Sequence, residues 1–165
     1  MADHAPGEHG SGGASPGVAG SAGPLRWTTP AGWSEGSGSS MRLVTYVPED
    51  APATECYVTV LGGDGGGMLS NINRWRGQFG MDDLSTADLL DLPMIEVLGE
   101  PSTVVEARGP YTQMSGETLA DQALLGLVCI RPAGSVFVKM IGPPDQVEAS
   151  REGFLAFVQS MEVTQ

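Results

Sequence analysis

Two apolar stretches separated by a tight reversal constrain the fold of this chain more than any other feature. They cover residues 119–131 and 135–141, and the Pro132-Ala133-Gly134 sequence between them is typical of a turn. The pattern predicts an antiparallel hairpin. Residues 123–130 alternate little between apolar and polar side chains, which favours a central strand that is covered on both faces.

Four other segments have the composition of strands. They are rich in β-branched and aromatic side chains, and they cover residues 41–47, 55–61, 94–98 and 102–108. Gly99-Glu100-Pro101 separates the last two segments and favours a tight antiparallel reversal. The sequence therefore predicts a mostly antiparallel sheet of about six strands.

Helical patterns surround these strands. Met68, Ile72, Trp75 and Phe79 recur at helical spacing, and a second apolar helical face covers residues 147–161. Ser85 followed by Asp88 predicts a short helix that begins with a capping box. Helices that pack on one sheet of this size give an α+β layered domain.

Composition divides the chain into a tail and one domain. Residues 1–23 are mostly Ala, Gly, Ser, Pro and His and contain no Leu, Ile, Phe or Trp, which predicts a disordered tail. Residues 24–165 are expected to form a single domain. Within it, Trp27 and Trp33 are expected to pin residues 24–40 to the domain as an ordered loop.

The charge balance argues against nucleic acid as a partner. Eight Lys plus Arg against 20 Asp plus Glu give a formal net charge of -12, and the arginines form no run that could follow a phosphate backbone. The longest apolar run, residues 123–130, is too short to span a bilayer as a helix. No membrane span is therefore predicted.

The first residues lack the basic start and the apolar stretch of a signal peptide, which on its own predicts a cytoplasmic protein. A Gly/Ser/Pro-rich tail before a domain is also what remains of an exported lipoprotein when its signal and acylated Cys lie upstream of the given sequence. The residues therefore leave two locations open, and we expect the cell envelope or periplasm, with a possible lipid anchor upstream, and take the cytoplasm as the alternative.

Cys56 and Cys129 lie in apolar segments with strand character. Buried free thiols are the ordinary state of such cysteines, and a disulfide between the two is the alternative in an oxidising compartment. Without a histidine in the domain, the pair cannot form an ordinary structural zinc site.

The residue inventory excludes most catalytic machinery. His4 and His9 both fall in the tail, so a Ser-His-Asp or Cys-His mechanism cannot operate within the domain. Lys139 is the only lysine of the chain. The glycine-rich segment 62–67 contains Asp64 and no lysine, which argues against a phosphate loop. A group of aspartates lacks the spacing of a calcium loop: Asp82, Asp83, Asp88 and Asp91. We predict no metal and no cofactor.

One helix face is the best candidate for binding. Asn71, Arg74 and Gln78 lie on one side of the first amphipathic helix, beside its apolar stripe. Their planar amide and guanidinium groups suit a carboxylate, a peptide backbone or a sugar. The alternative is that these side chains hold the helix to the glycine-rich turn and the sheet.

Several motifs together resemble a known group of proteins. They are Trp27, Pro30-Ala-Gly-Trp33, Met41-Arg42, the glycine-rich turn, Asn71-Ile-Asn-Arg-Trp-Arg-Gly-Gln78, Leu125-Gly-Leu-Val128, Phe137-Val-Lys-Met-Ile-Gly-Pro143 and Phe154-Leu-Ala-Phe-Val-Gln-Ser160. The sequence is similar to bacterial envelope proteins, often predicted lipoproteins, whose domain resembles the photosystem II extrinsic protein PsbP and a Ran-binding regulator of the same fold. This resemblance implies an α/β/α sandwich around an antiparallel sheet over residues 25–163. It implies no activity and assigns no site residue.

We therefore expect a non-catalytic binding or assembly domain of the bacterial cell envelope, with an unidentified protein, peptide or small polar ligand as its partner. A hydrolase or lyase that uses carboxylates alone is the first alternative, and it needs a pocket lined by two or more acids with perturbed pKa values. A structural spacer is the second alternative.

Overall fold

The hairpin predicted from the two apolar stretches lies inside a seven-stranded antiparallel sheet. The structure is a computed structural model that describes residues 17–164. The hairpin strands are β8 (Thr118–Cys129) and β9 (Ser135–Gly142), paired in a register that places Gly126 opposite Lys139. The strand order in this sheet is β3-β4-β5-β9-β8-β7-β6, so both hairpin strands have neighbours on each side.

The remaining strands of this sheet are β3 (Trp33–Glu35), β4 (Val44–Pro48), β5 (Glu55–Leu61), β6 (Met94–Val97) and β7 (Glu100–Thr112). A smaller sheet of order β1-β2-β10 contains β1 (Val18–Ala22), β2 (Leu25–Thr29) and β10 (Glu162–Val163). The helices are α1 (Met68–Gln78), α2 (Thr86–Leu89), α3 (Pro144–Ala149) and α4 (Arg151–Gln159).

Helices pack on both faces of the large sheet. Strand β9 is buried along its whole length, and its side chains alternate between two separate cores. Val138 faces the core that contains Phe154 of α4, whereas Phe137 faces the core that contains Trp75 of α1. The fold is thus the predicted α/β/α sandwich around an antiparallel sheet.

The C-terminal helical segment differs from the prediction. A single helix was expected through residues 147–161, but α3 ends at Ala149 and α4 begins at Arg151. Ser150 between them leaves helical geometry with a ψ of 4°. Val147 on α3 and Phe157 on α4 still share one core, so the predicted apolar face is confirmed although the helix is broken.

The region before residue 40 is more regular than its composition suggests. Val18–Ala22 forms a strand although the predicted tail extends to residue 23, and Trp27 and Trp33 lie in strands rather than in a loop. The strand can consist of small residues because its stability comes from pairing with β2 and from covering Trp27: a Cβ on Gly20 would lie 2.4 Å from the Trp27 Nε1 atom. The part of the predicted tail before residue 17 lies outside the described residues.

The two cysteines are free and buried. Cys56 lies on β5 opposite Met140, and Cys129 lies on β8 opposite Val136, so β9 runs between them. The two cysteines are therefore about 10 Å apart across the sheet and about 13 Å apart along it, whereas a disulfide requires Cα atoms within about 7 Å. The alternative of a disulfide does not fit this strand order.

Candidate functional site

Helix α1 lies over one part of the sheet and leaves another part uncovered. Its closest strands are β7 and β8, where the Trp75 ring packs on Gly126. Gly126 provides the space for this contact, because a Cβ at this position would lie 2.6 Å from the Trp75 Cζ3 atom. The neighbouring face of β5 and β9 lines a cavity of about 890 Å³, which we call the α1 cavity.

The charged side chains of the α1 cavity are mostly positive. Three cations line it, namely Arg42, Arg74 and Lys139, whereas Glu55 is its only carboxylate among the described residues. This balance is opposite in sign to the net charge of -12 of the chain. The cavity is therefore a local positive site in an acidic protein.

Lys139 is the most deeply placed of these cations. It lies on β9, on the same face as Phe137 and Ile141, and the residue is only 5% exposed. Its Nζ atom donates a hydrogen bond to Gln78 Oε1 at 2.5 Å and lies 5.4 Å from the centre of the Trp75 ring. Within residues 17–164, no carboxylate oxygen lies within 4.0 Å of this amine.

The surroundings of Lys139 disfavour its protonated form. Burial, together with the positive charges of Arg74 and Arg42, lowers the pKa of the amine from 10.5 to about 7. Near neutral pH, the Lys139 side chain is therefore a mixture of its ammonium and neutral amine forms. An anion bound beside Lys139 and not paired with Arg74 would favour the ammonium form.

Arg42 is held in place by two neighbours on β5. Its Nη1 atom lies 3.2 Å from Glu55 Oε1, and its Cζ atom lies 3.6 Å from the centre of the Tyr57 ring. Because Glu55 balances Arg42, the excess positive charge of the cavity comes from Arg74 and Lys139. Arg74 is exposed and has no salt bridge to a described residue.

Two tyrosines contribute hydroxyl groups to the same cavity. Burial raises the pKa of Tyr57 to about 12 and also raises the pKa of Tyr111. Both phenols therefore stay protonated at neutral pH, so they can donate hydrogen bonds.

The rim of the α1 cavity carries two exposed methionines. Met41 precedes β4 and is 68% exposed, and Met114 lies in the β7–β8 turn and is 96% exposed. Both line the cavity. Flexible thioether side chains at a mouth suit ligands whose apolar part varies in shape.

The predicted binding face is divided by the structure. Arg74 and Gln78 line the α1 cavity, but Asn71 does not. Asn71 is 1% exposed, and its Nδ2 atom donates to Gly65 O at 2.9 Å and to Gly67 O at 2.7 Å. Asn71 therefore has the structural role that was the alternative for this face: it holds the glycine-rich turn.

The glycine-rich turn uses its own backbone amides. Gly65 N donates to Gly62 O, Gly66 N to Asp64 Oδ1 and Gly67 N to Asp64 O. These amides are satisfied within the turn, as expected for a structural strand-to-helix connection.

The group of aspartates at residues 82–91 has no metal geometry. Asp88 completes the predicted capping box of α2: its Oδ2 atom accepts a hydrogen bond from Ser85 N, while Asp88 N donates to Ser85 Oγ. These bonds lower the pKa of Asp88.

Within the part of the chain that the structure describes, no three His, Cys, Asp or Glu side chains are grouped for a metal ion. No helix among these residues is long and apolar enough to cross a membrane.

Sequence reasoning missed Lys139, Arg42 and the two tyrosines as site residues. One signal for Lys139 was available: it is the only lysine, and it interrupts the apolar sequence Phe137-Val-Lys-Met-Ile141. A charged residue within a fully buried strand is expected to face a polar site. Its contact with Gln78 also joins two of the segments that carry the family resemblance.

Comparison with known proteins bears on the fold. No protein-family model matches the sequence, and no match was found among curated proteins. Among solved structures, the chain is similar to cyanobacterial PsbP (CyanoP) from Synechocystis sp. PCC 6803, with a TM-score of 0.58 and 12% identity over 96% of this chain and 98% of that one. The fold is PsbP-like.

Two further structures align over most of the chain. One, from Bacteroides thetaiotaomicron VPI-5482, has a TM-score of 0.53 and 8% identity over 86% of this chain, and the chain spans only 45% of that protein's length. The other is LpqN, which is involved in cell envelope biogenesis of Mycobacterium tuberculosis, with 13% identity over 87% of this chain and 86% of that one. Its TM-score is 0.46.

Proposed function

We propose that this PsbP-like domain is a non-catalytic binding domain of the bacterial cell envelope that holds a small carboxylate ligand in the α1 cavity. The observation that carries the proposal is the pair of cations Arg74 and Lys139, which face the same cavity and lack a carboxylate partner among the described residues. A bound anion would supply the missing partner, above all for Lys139, because a buried charge is stabilised chiefly by pairing.

The walls of the cavity favour a ligand with an apolar part. Trp75, Phe137 and Ile141 form its floor, and Met41 and Met114 form its rim. A ligand with a carboxylate at one end and an apolar group at the other would match a cavity that is lined by both basic and apolar side chains. The volume of about 890 Å³ lies within the range usual for small-molecule sites.

The alternatives have less support. A carboxylate-dependent hydrolase needs two acids that face one cavity, but Glu55 is the only acid of the described lining and it is paired with Arg42. A structural spacer has no need of a buried lysine in an open cavity. The envelope location rests on the family resemblance of the sequence, and immunoblotting of fractionated cells of the native host tests it: recovery only in the cytosol would contradict it.

A titration with two matched probes tests ligand binding. Octanoate and octanamide have the same chain, but only octanoate carries charge, and the fluorescence of Trp75 in the cavity wall reports on either. We expect octanoate to bind at least about tenfold more tightly than octanamide, since a charge-assisted hydrogen bond contributes roughly 1.5–3 kcal/mol. Equal affinities, or no binding of octanoate, would contradict the proposal.

Variants locate the site. Arg74→Gln and Lys139→Met should each weaken octanoate binding by about tenfold or more. Arg108→Gln is the matched control, because it removes the same charge from an exposed pair with Asp121 outside the cavity. Arg74→Gln should leave the free energy of unfolding within about 0.5 kcal/mol of the parent value, since Arg74 is exposed. A large loss of stability in this variant would instead make Arg74 structural.

A further inference from the structure

The placement of Lys139 goes beyond what ligand binding requires. It is the only lysine among 165 residues, yet it lies on a fully buried strand instead of on the surface. Arginine holds an anion by two parallel hydrogen bonds and stays charged when buried, so an arginine would serve better as a purely electrostatic anchor. What lysine adds is a primary amine that can become a nucleophile when it loses its proton.

The contacts of the amine leave it able to react. Among described residues its hydrogen-bond partner is Gln78 Oε1, and the Trp75 and Tyr111 rings lie 5.4 and 5.6 Å from Nζ. Among residues 17–164, no carboxylate pairs with it as an ammonium ion, and the same environment lowers its pKa to about 7. A neutral amine bonded to Gln78 through one N–H keeps its lone pair free for a carbonyl carbon in the cavity.

We propose that Lys139 captures the carbonyl group of an oxo acid as an imine, while Arg74 binds the carboxylate of that acid. This inference rests on the proposed function, because it requires that the α1 cavity accept a carboxylate. Arg74 and Gln78 are four residues apart on α1, so the carboxylate anchor and the hydrogen-bond partner of the amine lie on one side of this helix. The ligand class is thus narrowed from carboxylates in general to those that carry a ketone or aldehyde.

The chemistry balances without an oxidant or a reductant. The nitrogen lone pair forms a bond to the carbonyl carbon, and the π electrons of the C=O bond move to the oxygen. That oxygen takes one proton from the nitrogen to give a carbinolamine. It then takes the second N–H proton and leaves as water, which gives a neutral imine. The protonated phenols of Tyr57 and Tyr111 in the cavity wall are suited to donate a hydrogen bond to this oxygen.

Reductive trapping tests the proposal on the full chain. The protein is incubated near neutral pH with α-oxooctanoate and cyanoborohydride, which reduces an imine to a stable secondary amine, and the adduct is mapped by peptide mass spectrometry. Because the chain has one ε-amine, only the N-terminal α-amine competes, and it lies in a different peptide. We expect the adduct on Lys139, formed faster in native protein than in protein unfolded by urea, where the amine regains its ordinary pKa.

Two controls separate capture from ordinary amine reactivity. The methyl ester of α-oxooctanoate has a more electrophilic ketone but no charge, so it should react more slowly with Lys139 than the acid does. Arg74→Gln should slow trapping of the acid by about tenfold, while Arg108→Gln should not change it.

The outcomes are distinguishable. Modification of the N-terminal amine alone, or equal rates at Lys139 in native and unfolded protein, would overturn the imine proposal. If octanoate binding still depended on Lys139 in that case, the proposed function would stand. If octanoate binding also failed, both would fall.

Discussion

Lys139 is the residue whose chemistry conflicts most with its position. The residue is only 5% exposed, so its amine loses hydration, and the only hydrogen-bond partner of this amine among described side chains is the Gln78 amide. Its pKa of about 7 means that folding favours loss of its proton. Lys139 therefore destabilises the native protein at every pH at which its amine is protonated in the unfolded chain.

A pH series measures this destabilisation. Between about pH 7 and 10.5 the unfolded chain holds a proton that the native amine has released, so this contribution to stability rises with pH; below pH 7 both states are protonated and the penalty is complete. Relative to Lys139→Met, the parent protein should gain about 2 kcal/mol of unfolding free energy from about pH 7 to 9, at about 1.4 kcal/mol per pKa unit. Urea unfolding of both proteins measures the difference.

The methionine variant also serves as the control. It retains the other titratable and charged groups around the cavity, which are Arg42, Glu55, Tyr57, Arg74 and Tyr111. The buried cysteines, whose raised pKa values act in the opposite direction above about pH 9, are also common to both proteins. Parallel pH profiles for the two proteins would show that Lys139 is not perturbed.

Single residues were predictable where the signal is local. The capping box of Ser85 and Asp88 follows from spacing alone and is present. The role of Asn71 depends on which part of the fold each turn of α1 contacts, and helical spacing alone does not predict those contacts. Asn71 lies at the end of the helix that meets the glycine-rich turn, whereas Arg74 and Gln78 lie farther along, beside the uncovered strands.

Among the elements, the position of α1 depends on one glycine of β8. Gly126→Ala would place a Cβ 2.6 Å from the Trp75 ring, so α1 must shift or Trp75 must change rotamer. We expect a loss of about 1–3 kcal/mol in the free energy of unfolding, as for other overpacked cores. Octanoate binding should weaken too, because a shift of α1 moves Arg74 and Gln78, and a new rotamer moves the Trp75 ring in the cavity wall.

Gly77→Ala on the same helix is the matched control. Nothing lies within 4 Å of a Cβ at Gly77, so the added methyl group should stabilise α1 by about 0.5–1 kcal/mol. Urea denaturation of both variants gives the comparison. Equal effects of the two substitutions would contradict the proposed packing of Trp75.

Elements with strong patterns were predicted well, and those that depend on neighbours were not. The segments at residues 55–61 and 135–141 match β5 and β9 closely because long apolar or β-branched runs favour strands. Strand β1 was not predicted because Ala, Gly and Ser give no alternating apolar pattern, and because its pairing with β2 is a tertiary contact. The break at Ser150 also has no signal in the apolar spacing.

For the whole molecule, the layers were predictable but the cavity was not. Apolar residues on both faces of the central strands require cover on both sides, which gives the sandwich. The α1 cavity exists because α1 covers β7 and β8 and leaves part of the face of β5 and β9 open. This arrangement depends on where the helix packs, and no short sequence pattern encodes it.

Charge is distributed unevenly at this scale. The chain carries a net charge of -12, while the described lining of the α1 cavity has three basic side chains and one carboxylate. An approaching anion is therefore repelled at long range and attracted at short range. We expect added salt to accelerate association of the dianion suberate more than that of the monoanion octanoate, because screening relieves a larger repulsion. Stopped-flow mixing over a range of NaCl concentrations measures both rates; acceleration of neither would contradict this charge model.

This uneven charge distribution is expected to make the protein select anions by their number of charges. At low ionic strength, we expect the net charge of -12 to slow the entry of multiply charged anions before any contact with the binding groups. If the α1 cavity binds carboxylates as proposed, the protein would bind singly charged anions first in a dilute compartment, and a rise in external salt would broaden the range of anions that enter.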